Sequence, residues 1–96
     1  MSPLKRKKLV KIRSELDKLD NSLIKLIKKR TNLVNRVLKL KDKKKEIIDN
    51  KRINIILRNI KKKSIANKID PKITNRIWKN MIWSYIDYEK RNFKKK

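Results

Sequence analysis

Apolar residues return at heptad spacing from Leu9 to Lys41, and no other feature restricts the fold as much. Leu9, Leu16, Leu23 and Val37 occupy one position of the repeat, and Ile12, Leu19, Leu26, Leu33 and Leu40 the other. The period demands one long helix. Extended to about Lys44, such a helix reaches about 54 Å at the standard rise. A compact chain of this size is only about 30–35 Å across. The chain cannot cover its own first helix, so a second copy is expected along the seam, with a two-fold homodimer as the default. One seam position is out of character. Position 30 is Arg30, and a guanidinium in an apolar seam is costly unless an anion meets it. A polar residue at a heptad position can also fix register, so Arg30 has two readings.

The rest of the chain supports an all-α class. There is no Gly and there are only two Pro among 96 residues, which leaves little turn chemistry. Residues 1–8 read as a basic, frayed lead-in. The run Asp42–Glu46 carries no apolar residue and reads as a turn. Asp49 is a good N-cap for a second helix from about Asn50 to Lys62, with Ile53, Ile56, Leu57 and Ile60 on its apolar face. Ser64 to Ile69 reads as a connector. Asp70-Pro71 is the clearest helix start, an N-cap acid followed by Pro at the first helical position. A third helix follows to about Phe93. Its stripe is Ile73, Ile77, Trp78, Met81, Ile82 and Tyr85, and it runs on to Glu89. A carboxyl on an apolar stripe is the second anomaly. The expectation is a single three-helix domain over residues 5–93, with a basic tail at 94–96.

Composition excludes several chemistries. No His and no Cys rules out the usual nucleophile–base pairs and makes a zinc site unexpected. No Gly rules out a Gly-rich phosphate loop. Neither a cofactor nor a metal is expected. No apolar run would span a membrane, and the basic N-terminus lacks the apolar segment of a secretory signal, so a cytoplasmic protein is expected. The formal net charge of +23 raises nucleic-acid binding. Lysines spread over all segments and an aromatic content of 5% favour compositional bias and non-specific contact instead. A basic nucleic-acid-binding helical dimer is still an alternative. The remaining polar set is Arg13, Arg30, Lys41 and Arg52, expected to face inward, with Asp49 and Glu89 nearby. Such a set suits a small dicarboxylate that reacts without a covalent intermediate, because Arg grips carboxylates bidentately and Lys meets developing negative charge.

Four stretches carry a family resemblance. Ile12-Arg13-Ser14-Glu15-Leu16-Asp17-Lys18-Leu19-Asp20 is similar to I-R-x-x-I-D-x-I-D, and Leu26-Ile27-Lys28-Lys29-Arg30 to L-L-x-x-R. Val37-Leu38-Lys39-Leu40-Lys41 is similar to V-x-x-x-K, and Ile48-Asp49-Asn50-Lys51-Arg52 to x-D-P-x-R. Together they resemble the all-helical chorismate mutases, which are intertwined dimers of three-helix chains. The resemblance covers about Leu9 to Phe93. It implies that Arg30 and Arg52 bind substrate carboxylates, and that Lys41 bonds the ether oxygen of the breaking C–O bond. Asp49 would help hold the substrate hydroxyl. Glu89 would also address the ether oxygen, which requires it to be protonated. Arg13 would arrive from the partner chain; along one helix it lies about 25 Å from Arg30 and about 100° around the axis. Tyr85 joins the substrate-facing set, although its stripe position also suits a core role. One departure stands out. The family motif has Glu after the second Arg, and here Ile53 follows Arg52. An aliphatic residue there, and the run Met81–Ile86, resemble the isochorismate pyruvate lyases on the same scaffold. The implied activity is chorismate to prephenate, with pyruvate elimination from isochorismate as the alternative.

Overall fold

The computed structural model describes residues 1–94. Among them are three α-helices: α1 (Pro3–Leu40), α2 (Asn50–Ala66) and α3 (Pro71–Asn92), with a 3-10 turn at Lys44–Ile47 between the first two. The all-α expectation holds. Of the expected basic tail, Lys94 is exposed, and residues 95 and 96 lie outside the described residues.

Several boundaries differ from expectation, each for a local reason. The lead-in is helical from Pro3, because Ser2 caps it: the Lys5 N–H donates to Ser2 Oγ at 3.2 Å and Pro3 sits at the first helical position. α1 stops at Leu40 rather than Lys44. The Lys41 N–H closes on the Leu38 carbonyl at 3.2 Å, and the chain then leaves the helix. α2 starts at Asn50 as expected, with the Arg52 N–H on Asp49 Oδ1 at 3.0 Å.

The expected connector at Ser64–Ile69 is largely helix. α2 runs on to Ala66 and ends in a Schellman closure, with the Ile69 N–H on the Ser64 carbonyl at 2.8 Å and the Lys68 N–H on the Ile65 carbonyl at 3.1 Å. Lys68 takes φ 57°, a left-handed conformation that Gly would adopt at less cost, and this chain has no Gly. Ser64 is buried, and its hydroxyl lies 2.6 Å from the Ile60 carbonyl and 2.7 Å from Thr74 Oγ1. That hydroxyl pair fastens the end of α2 to the first turns of α3.

The chain divides into two compact units, Met1–Leu33 and Val34–Lys96. Met1–Leu33 is helical from Pro3, and its heptad residues Ile12, Leu16, Leu19, Leu23, Leu26 and Leu33 are all exposed. Val34–Lys96 contains the buried core of Leu38, Ile47, Ile82 and Ile86. Ile48, Ile53, Ile56, Leu57 and Phe93 pack against that core. α2 packs along α3, and the 3-10 turn packs on α3 as well. The stripe of α3 is the expected one from Trp78 onward, with Ile86 added, but not at its first two positions. Ile82, Ile86 and Glu89 are buried and Trp78, Met81 and Tyr85 half-buried, while Ile73 and Ile77 are exposed at 55% and 51%.

Candidate active site

The end of α1 and the last turns of α3 bring two of the expected site residues together. Lys41 Nζ donates to Glu89 Oε2 at 3.2 Å and to Oε1 at 3.4 Å. Glu89 is only 6% exposed. A carboxylate so far from water needs a cation or several donors, and Lys41 supplies both charge and protons. The two head groups therefore converge on one point at the core's edge.

Asp49 lies on the rim. Lys41, Asp49, Glu46, Ile48 and Asn50 line one shallow open depression beside this pair. One Asp49 oxygen is engaged in capping α2; a carboxylate has a second oxygen for another donor. Arg52, in the first turn of α2, has an exposed side chain. Ile53 is half-buried and packs against the core, so its aliphatic character has a structural use whatever the substrate. Tyr85 is half-buried, one turn before Glu89, and meets Tyr88 edge to face with ring centroids 6.4 Å apart. On α1, Arg13 is exposed and Arg30 half-buried.

A second polar contact between the end of α1 and α3 has no sequence signal of its own. The Tyr88 hydroxyl donates to Asn35 Oδ1 at 2.8 Å. Helical spacing could have put Tyr88 on the face of Tyr85 and Asn35 on the face of Leu38. No local pattern joins residues 53 positions apart. Among the described residues no three or more Asp, Glu, His or Cys side chains cluster as a metal site would require. None of the described helices is long and apolar enough to cross a membrane.

The described chain is all-helical, with a Lys–carboxylate ion pair where the end of the first helix meets the last turns of the third. The family model for chorismate mutase type II matches residues 12–90, and the chain belongs to that family. The matched span takes in every expected site residue from Arg13 to Glu89. No match was found among curated proteins or among solved structures.

Proposed function

We propose that the protein is a cytoplasmic, homodimeric chorismate mutase that rearranges chorismate to prephenate without a cofactor. The observation that carries this reading is the convergence of Lys41 Nζ and Glu89 at 3.2 Å on a buried carboxyl. In the rearrangement the ether C–O bond breaks as a C–C bond forms within the same molecule, and negative charge builds on the ether oxygen. Lys41 donates to that oxygen and stabilises the charge where it develops. Glu89 donates a second bond when it carries a proton. Without ligand, the carboxylate closes on Lys41 and is satisfied there. Arg30 and Arg52 hold the two carboxylates, and Arg13 of the second chain completes the grip. Asp49 receives the substrate hydroxyl, and Tyr85 contributes to the apolar wall. Fixing one reactive conformer supplies the rest of the rate, since the reaction needs no nucleophile. Nucleic acid is met only through non-specific charge, which salt should abolish.

The second reading is an isochorismate pyruvate lyase. Ile53 supports it, because no carboxylate follows Arg52 to receive the hydroxyl as in the mutase pattern. Incubating the purified chain with chorismate and, separately, isochorismate tests both. Prephenate from chorismate is expected. Salicylate and pyruvate from isochorismate, without prephenate, would transfer the assignment to the lyase. Turnover of neither, together with sequence-selective DNA binding that survives physiological salt, would remove the enzyme reading.

A further inference from the structure

The Asn35–Tyr88 hydrogen bond links the end of α1 to the last turns of α3, as the Lys41–Glu89 pair does. Tyr88 immediately precedes Glu89 on α3, and Asn35 lies on the final turns of α1, ahead of Lys41. The Tyr88 ring is held twice. Its hydroxyl donates to Asn35 Oδ1 at 2.8 Å, and its ring stands at 88° to the ring of Tyr85.

We propose that Asn35 and Tyr88 are positioning residues. Their hydrogen bond fixes the rotation of α3 against the end of α1 and so keeps Glu89 within reach of Lys41; the catalytic part of this rests on the mutase-type reading of that pair. The core of Leu38, Ile82 and Ile86 holds these elements together, but apolar contact is non-directional and sets rotation weakly. A directional bond does that better. A side-chain head group sits about 5–6 Å from a helix axis, so a rotation of about 10° moves it about 1 Å. That displacement takes a 3.2 Å contact out of hydrogen-bond range. A reacting group misplaced by about 1 Å can cost up to about a hundredfold in rate.

The test uses Tyr88→Phe, Asn35→Leu and Asn35→Asp in the full chain. Tyr88→Phe and Asn35→Leu should each lower kcat about three- to tenfold, with KM within about twofold of wild type and helical circular dichroism unchanged. Asn35→Asp still accepts the hydroxyl bond and should keep the wild-type kcat. The combined Tyr88→Phe/Asn35→Leu variant should be no worse than either alone, because both remove the same bond. A second readout needs no turnover. The Lys41 ammonium, assigned by its loss in Lys41→Arg, should give a slowly exchanging ¹⁵N signal in wild type and Asn35→Asp. That signal should vanish in Tyr88→Phe and Asn35→Leu. An unchanged Lys41 signal in those two variants overturns the positioning role, as does a loss that appears in KM alone or is not restored by Asn35→Asp. If wild type turns over neither substrate, the mutase-type reading falls, and the Lys41 signal still decides whether Asn35 and Tyr88 hold the pair.

Discussion

In Val34–Lys96, Ile82 and Ile86 are 7% and 6% exposed; in Met1–Leu33, Leu19 and Leu26 are 62% and 58% exposed. Both regions are helical and rich in Lys, and both carry an apolar stripe. They differ in what covers the stripe. The second region folds a 3-10 turn and two helices around its own core. The first is helix alone, and its heptad residues Ile12, Leu16, Leu19, Leu23, Leu26 and Leu33 are exposed. An isoleucine or leucine left in water forgoes about 1.5–3 kcal/mol of burial. A stripe of six such residues is therefore a strong drive towards association. The contrast teaches that one stripe is covered by its own chain, while the other is left exposed, as the proposed dimer requires.

The largest effect should come from breaking the exposed seam. Leu19→Asp/Leu26→Asp leaves Val34–Lys96 untouched but puts carboxylates where the second chain would pack. At about 3–5 kcal/mol for an unpaired buried charge, dimerisation should weaken by at least about a hundredfold and activity should fall with it. Sedimentation at micromolar concentration checks this. An unaltered dimer would mean that the heptad stripe is not the interface.

A smaller but sharper effect separates Arg13 and Arg30 of the first region. Arg13→Ala and Arg30→Ala should each lose about a hundredfold or more in kcat/KM, the scale for truncating a charged contact to a bound anion. Mixed as heterodimers they should regain part of the activity, since one of the two sites then keeps both guanidinium groups. Mixed dimers that stay dead, with subunit exchange verified by mass spectrometry, would count against a site shared between chains.

The smallest effect concerns Ile53 in the second region. Ile53→Glu replaces a core-packed side chain with a carboxylate and should cost about 1–3 kcal/mol of stability. If position 53 governs substrate choice, the ratio of kcat/KM for chorismate to that for isochorismate should rise. The new carboxylate sits near the N-terminus of α2, where negative charge is favoured and a substrate hydroxyl could donate to it. A ratio unchanged from wild type, measured below the melting transition, would break the link from Ile53 to the lyase.

Much of the fold was legible because its signals are local. The heptad run gave α1, Asp49 gave the start of α2, and Asp70-Pro71 gave the start of α3. Ser2-Pro3 carries the same kind of signal, and where a frayed lead-in is expected the chain is helix from Pro3. The end of α2 lies beyond its expected position because its closing residue is Lys68 rather than Gly, and nothing in the sequence marks a left-handed Lys. The stripe of α3 holds at Trp78, Met81, Ile82, Tyr85 and Glu89 and fails only at its start, at Ile73 and Ile77. Hydrophobicity alone favours Ile73 and Ile77, and the packing of Ile82 and Ile86 against Leu38 and Ile47 decides otherwise.

By itself, then, the sequence determined the helical class, the capped helix starts, the two anomalies at Arg30 and Glu89, and a family match over residues 12–90. All of these are properties of spacing along the chain. Only the tertiary structure decided that Glu89 is buried against Lys41 and that Tyr88 reaches Asn35. These contacts join residues 48 and 53 positions apart. They exist only once the core of Leu38, Ile47, Ile82 and Ile86 has brought the last turns of α3 against the end of α1, because burial selects which helix faces meet, and helical periodicity by itself does not.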